Sequence, residues 1–151
     1  MLRAAAAALL LCIAGATARP SPLALRAVHD ITPGGAGDAV AHPTSFEELK
    51  LLSETAGKLV VIDFSATWCG PCQKIAPVFA KLAEDVPEAL FVKVDVDEVP
   101  DASAHFGVQA LPTFLLLKDG KEVARFQGAN EPELRRQLEL NGCPPPKNDI
   151  F

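Results

Sequence analysis

From residue 45 onward the apolar positions change period several times, and each change marks an element. Ser45-Phe46-Glu47-Glu48 places a hydroxyl three residues before a carboxylate, a capping-box pattern, and Leu49 and Leu52 follow along one face. A helix is therefore expected to about Ala56, ended by Gly57. The run Leu59-Val60-Val61-Ile62-Asp63-Phe64 is apolar on both faces, which suits a central strand covered by helices, with Asp63 as its one exception. Between Cys72 and Val86 the residues Ile75, Val78, Phe79 and Leu82 repeat at helical spacing, and Pro77 should kink that helix. Leu90 to Val96 reads as a β-branched strand, and Pro100 to Phe106 as a short helix closed by Gly107. Thr113 to Leu117 and Glu122 to Phe126 flank Lys118-Asp119-Gly120-Lys121, whose Asp-Gly pair favours a tight hairpin and an antiparallel pair. Asn130, with Glu133 at the third position, caps a last helix that buries Leu134 and Leu138 and stops at Gly142 and Pro144-Pro145-Pro146. A strand, helix, strand unit followed by a hairpin gives an α/β domain with a mixed sheet.

The first forty residues follow other rules. Met1-Leu2-Arg3 precedes an unbroken apolar stretch from Ala4 to Ala16, and Ala16-Thr17-Ala18 offers small residues for cleavage, the pattern of a secretory signal. A secretory or extracellular destination is expected; the alternative is a mitochondrial or plastid transit peptide, because Arg3, Arg19 and Arg26 precede the first acidic residue, Asp30. The stretch is shorter than the ~20 apolar residues of a membrane span, and no later segment reaches that length, so no membrane contact is expected of the mature chain. Pro, Gly and small residues then form a flexible leader. The expected division is a signal at 1–18, a leader at 19–42, one domain at 43–142 and a proline-containing tail at 143–151. The 151 residues, 49% hydrophobic, suffice for one domain with a sizeable core, and a formal charge of -5 with no Lys or Arg cluster argues against nucleic acid as a partner.

Chemistry concentrates just after the central strand, in Trp68-Cys69-Gly70-Pro71-Cys72. Two thiols separated by two residues can close into a small disulfide ring at the carboxyl end of the strand, where a helix begins. Partial positive charge and unpaired N–H groups at a helix N-terminus lower a thiol's pKa, so Cys69 is the expected nucleophile and Cys72 the resolving thiol. A structural zinc site would need four ligands. Cys12 lies in the N-terminal apolar run, Cys143 in the tail, and His29, His42 and His105 lack ligand spacing, so no metal is expected. Burial on the apolar strand should raise the pKa of Asp63.

The run Val61 to Cys72 resembles the active-site segment of thioredoxins, and Ala110-Leu111-Pro112-Thr113 and Phe126-Gln127-Gly128-Ala129-Asn130 resemble later motifs of that family in the same order. The resemblance spans about Ser45 to Asn141 and implies the thioredoxin fold, a central mixed sheet with helices on both faces. It implies that Asp63 assists proton transfer at Cys72 and that Lys93 pairs with Asp63. It implies a cis peptide before Pro112, whose loop would pair with an extended substrate chain, Leu111 and Thr113 beside it. Trp68, Gly70, Pro71 and the Gly128-Ala129 loop would supply a shallow apolar surface around the thiols. The implied activity is reduction of disulfides in protein substrates through Cys69 and Cys72, with no bound cofactor and with an NADPH-dependent thioredoxin reductase as electron donor. The family's usual first strand has only Asp38 to Ala41 to form it here, which puts that strand in doubt.

Two alternatives stand beside this reading. A disulfide oxidase or isomerase would suit a secretory compartment, but such enzymes usually carry a histidine before the second cysteine, where this chain has Pro71. A non-catalytic binding module on the same scaffold would not need both cysteines. Cys143, after Gly142 and before three prolines, is expected on an exposed tail, where it could join two chains; a monomer or weak dimer is anticipated.

Overall fold

The computed structural model describes residues 39–146. The elements are β1 (Val40–Ala41), α1 (Phe46–Ser53), β2 (Leu59–Ser65), α2 (Gly70–Asp85), β3 (Ala89–Asp95), α3 (Pro100–His105), β4 (Thr113–Lys118), β5 (Lys121–Gln127) and α4 (Glu131–Leu140). The strands form one sheet in the order β1-β3-β2-β4-β5. β1 and β2 run parallel to β3, while β4 lies antiparallel to β2 and β5 to β4. This is the mixed sheet anticipated from the chain pattern. The hairpin turns through Asp119 and Gly120, both at positive φ, the conformation an Asp-Gly turn supplies.

β2 is buried along its whole length because helices cover both faces of the sheet. Strand alternation sorts its side chains. Val60, Ile62 and Phe64 join Leu49 and Leu52 of α1 and Ala102 of α3 in one core. Leu59 and Val61 join Phe79 and Leu82 of α2 and Leu134 and Leu138 of α4 in the other. Asp63 and Ser65 continue this second row, so they face the helix that follows the first cysteine.

Three boundaries differ from expectation. Val40 and Ala41 do form a strand, held by parallel pairing with Phe91 and Val92, so the sheet begins inside the stretch read as leader. α1 ends at Ser53 rather than near Ala56, because the hydroxyls of Ser53 and Thr55 donate to the Lys50 and Leu52 carbonyls and close the last turn. Cys143 is buried, 8% exposed, and belongs to the core on the α2 side. The cause is the helix end: Gly142 at φ 84 turns the chain back, its N–H donates to the Glu139 carbonyl and that of Cys143 to the Leu138 carbonyl. This is a Schellman motif, whose residue after the glycine packs against the last helical turn. The exposed thiol of the sequence reading is thereby corrected. Residues 1–18, most of the leader and residues 147–151 lie outside the described residues.

Candidate active site

Cys69 occupies the N-cap of α2, and its Sγ accepts a hydrogen bond from the Cys72 backbone N–H at 3.3 Å. Gly70 and Pro71 fill the first helical positions, where the missing N–H of proline leaves no bond unmade. α2 runs on through Pro77. The two sulfurs are bonded at 2.02 Å, and both cysteines are buried.

The two cysteines border different cavities. One, of about 480 Å³, is lined by Trp68, Cys69, Gly70, Pro71 and Leu111 together with Val96, Val108 and Ala110. The other, of about 400 Å³, is lined by Cys72, Ser65, Thr67, Gln73, Lys93 and Asp95. The first lies on the Cys69 side, beside Trp68 and the proline loop; the second lies on the Cys72 side and carries the charged Lys93 and Asp95 next to Ala66 and Ala76.

Trp68 is 70% exposed, yet its indole is held: Nε1 donates to Asp97 Oδ2 at 2.8 Å. Asp97 is itself placed by its N–H donating to Asp95 Oδ1 at 2.9 Å. Sequence reasoning missed this anchor, since the partners lie 29 residues apart and no local pattern joins them. It also missed Val96 and Val108, and it quoted Ala110 only as part of the proline-loop motif without giving it a place in the groove.

The Leu111-Pro112 peptide is cis. Thr113 Oγ1 donates to the Ala110 carbonyl at 2.7 Å across this loop, and the Gly128 N–H donates to the Pro112 carbonyl at 2.8 Å. Thr113 and Gly128 thus tie down the loop around Pro112, and none of Pro112, Thr113, Gly128 and the exposed Ala129 is among the residues that line the groove.

Asp63 is fully buried, and neither carboxylate oxygen has a hydrogen-bond partner among the described residues. Its register neighbours are Lys93 on β3 and Phe114 on β4. Burial is the larger influence and raises its pKa from 3.8 to about 7, while the Lys93 ammonium pulls the other way. A carboxyl group balanced near neutrality stands on the same face of the sheet as α2. Among the described residues no group of three or more His, Cys, Asp or Glu could hold a metal ion.

A paired-cysteine helix start, an apolar groove and a buried carboxyl group invite comparison with known proteins. The thioredoxin family model matches residues 39–139. An H-type thioredoxin of Nicotiana tabacum is 51% identical over 87 residues, covering 58% of this chain and 69% of that protein. An H-type thioredoxin of Oryza sativa subsp. indica is 46% identical over 93 residues, covering 62% and 76%. The crystal structure of a thioredoxin from Nicotiana alata superposes with a TM-score of 0.66 at 42% identity, covering 72% of this chain and 97% of that one. These relatives overturn the secretory or extracellular destination read from the N-terminal apolar run, and its organelle alternative: H-type thioredoxins are cytosolic, and the comparisons give a signal peptide no support. With Cys69 and Cys72 bonded at the start of α2 and the family matched across the described domain, the chain belongs to the thioredoxin family and is a dithiol-disulfide oxidoreductase of protein-disulfide reductase type.

Proposed function

We propose that Cys69 is the attacking thiol, Cys72 the resolving thiol and Asp63 the base that takes the Cys72 proton. The observation that carries this assignment is the division of the two cysteines between two cavities: Cys69 borders the groove beside Trp68 and the proline loop, where a substrate chain can lie, and Cys72 borders the one that holds Lys93 and Asp95. The Cys69 thiolate, favoured by the Cys72 N–H and the start of α2, attacks one sulfur of a protein disulfide and expels the other as thiolate. Cys72 then gives its proton to Asp63 and attacks Cys69 Sγ. The mixed disulfide breaks, the second substrate sulfur leaves, and two electrons have passed to the substrate. Lys93 favours the anionic form of Asp63 and so readies it to accept a proton. Trp68, Gly70, Pro71 and Leu111 supply the apolar contact, and the Pro112 loop, braced by Thr113 and Gly128, supplies backbone for pairing with an extended substrate segment.

Disulfide-bearing proteins are the substrate class that family membership implies, and a thioredoxin reductase drawing on NADPH is the proposed electron source. Substrate trapping tests the assignment. Cys72→Ser should accumulate mixed disulfides with insulin or other disulfide proteins, whereas Cys69→Ser should capture none. Capture by Cys69→Ser alone would reverse the two roles. Equal binding of substrate by wild type and the double serine variant, with no insulin reduction by either, would favour the scaffold-only reading.

A further inference from the structure

One wall of the Cys69 groove comes from α3 and the irregular segment after it: Ser103, Val108, Gln109, Ala110 and Leu111 all line the cavity. Residues 106–112 belong to no helix or strand, so the wall is only as firm as the ends that hold it. α3 is a weak anchor by itself, because its six residues are too few for a stable helix and its N-cap, Val99, makes no side-chain bond. Its far end is closed at Gly107, φ 62, where the Gly107 N–H donates to the Ala104 carbonyl at 3.3 Å and the Val108 N–H to the Ser103 carbonyl at 2.9 Å. The Phe106 carbonyl takes no part in that motif. Arg125 of β5 reaches it instead, with Nη1 donating at 2.7 Å across 19 residues of chain.

An irregularity in β5 aims Arg125 there. Residues three apart on a regular strand face opposite sides of the sheet. Here the register shifts: Leu116 pairs with Ala124 and Leu117 with Glu122, which leaves Val123 as the extra residue of a bulge. Glu122 and Arg125 therefore share the side of their partners Leu117 and Leu115, the side that α1 and α3 cover. Glu122 holds the guanidinium with both oxygens, Nε donating to Oε1 at 3.0 Å and Nη2 to Oε2 at 2.8 Å, and the Nη1 arm is left for the carbonyl. A cation at a helix C-terminus is favoured by the helix dipole as well as by the bond. The Phe106 ring stands 5.7 Å from that of Phe64 on β2, so Phe106 is tied to the sheet through both its side chain and its backbone.

We propose that Arg125 is a positioning residue for substrate binding: buttressed by Glu122, it pins the end of α3 to the edge strand of the sheet and so keeps residues 108–111 in the shape that receives a protein chain. The inference rests on the reading of the Cys69 groove as the seat of the substrate. Arg125 does not line the groove, so it governs the docking of an extended chain and not the exchange at sulfur. A small disulfide that reaches Cys69 without filling the groove is indifferent to it. Lysine is no substitute, since a single ammonium cannot hold both Glu122 oxygens and the Phe106 carbonyl in fixed directions.

The test mixes the reduced full chain with an uncharged disulfide-bridged peptide at rising concentration, in single turnovers, and separates half-saturation from limiting rate; bis(2-hydroxyethyl) disulfide is the small control. Arg125→Ala should raise the half-saturation concentration on the order of fivefold while the limiting rate and the reaction with the small disulfide hold. Arg125→Lys should keep most of that loss. Glu122→Ala should lose less, and should add nothing in the double variant, because it acts only through Arg125. Amide exchange at Gly107 and Val108 should quicken in Arg125→Ala while that of β2 stays as in wild type. Val108→Asp, which puts a charge into the groove itself, should also raise half-saturation. A wild-type value in Arg125→Ala beside a raised one in Val108→Asp overturns the role of Arg125 and leaves the groove as the seat, as does an equal loss towards peptide and small disulfide. Full recovery in Arg125→Lys overturns the fork as the cause. Wild-type values in both Arg125→Ala and Val108→Asp overturn the groove reading together with the inference.

Discussion

Asp63 was legible as the odd residue of an apolar strand, and its location follows from parity alone: it shares a face with Leu59 and Val61, and that face meets α2. Its titration has a consequence for stability whose sign runs opposite to that of most carboxylates. The folded-state pKa of about 7 lies above the unfolded value near 3.8, so the native chain holds the extra proton between those values. The stabilisation is complete below the unfolded pKa and is lost as pH rises through the folded one. At about 1.4 kcal/mol per pH unit this amounts to roughly 4 kcal/mol. Asp63→Asn should therefore raise the melting temperature relative to wild type at pH 8, and the difference should shrink towards pH 4; a constant difference across that range would refute the assignment. The Trp68–Asp97 bond belongs to the same scale but was not legible, because folding alone brings the two together. An exposed bond of this kind contributes under about 1 kcal/mol to stability, yet it fixes the indole at the edge of the groove. Asp97→Ala should leave unfolding nearly unchanged, shift the fluorescence of the single tryptophan and raise KM for insulin several-fold, while kcat holds. Unaltered fluorescence would mean that the indole keeps its place without Asp97.

At the scale of elements, the sequence was most readable where local chemistry and tertiary contact agree. Both caps form as the residues indicate: Ser45 Oγ accepts from the Glu48 N–H at 3.2 Å, and Asn130 Oδ1 from the Glu133 N–H at 3.1 Å. The reciprocal arm of the first box departs slightly, with Glu48 accepting from the Thr44 N–H instead of that of Ser45. β1 was hard to read because two residues carry no period; partner strand β3 makes it a strand. The end of α4 failed differently. Gly142 was correctly seen as a stop, but a left-handed glycine also redirects the chain, and here it returns Cys143 to the core beside Leu138. Burial raises the pKa of this thiol further, with Glu88 adding to the effect and Lys118 opposing it. An aromatic disulfide reagent should thus label Cys143 of the native oxidised chain at a small fraction of the rate seen in denaturant, and non-reducing electrophoresis should give a monomer band. Gly142→Ala, forced to positive φ, should cost about 1 kcal/mol and speed the labelling. Fast labelling of the native wild type would place the thiol outside the core.

For the whole molecule, the sheet acts as a partition with unequal sides. The core between the sheet and the helices α1 and α3 backs Val96, Val108 and Leu111 of the groove, whereas the core between the sheet and α2 and α4 holds Asp63 in place beneath the helix that carries the cysteines. Phe79 of α2 is the central piece of that side, its ring 5.1 Å from Phe91 and 5.9 Å from Phe114, and Phe114 is the register neighbour of Asp63. Leu49 of α1 is as deeply buried on the other side. Stability alone would not tell the two apart: Phe79→Ala should cost about 3–5 kcal/mol and Leu49→Ala about 2–5 kcal/mol. Their effects on the site should differ. A cavity at Phe79 relaxes the packing around Phe114 and admits solvent towards the carboxyl group, which weakens the burial that raises its pKa. Leu49→Ala opens space on the opposite face of the sheet from Asp63. Carboxyl titration by NMR should find the Asp63 midpoint moved down from about 7 in Phe79→Ala and unmoved in Leu49→Ala. With that shift, the pH at which disulfide closure becomes efficient should fall in the first variant only. Equal midpoints in the two variants would mean that the site does not depend on which face of the sheet is disturbed.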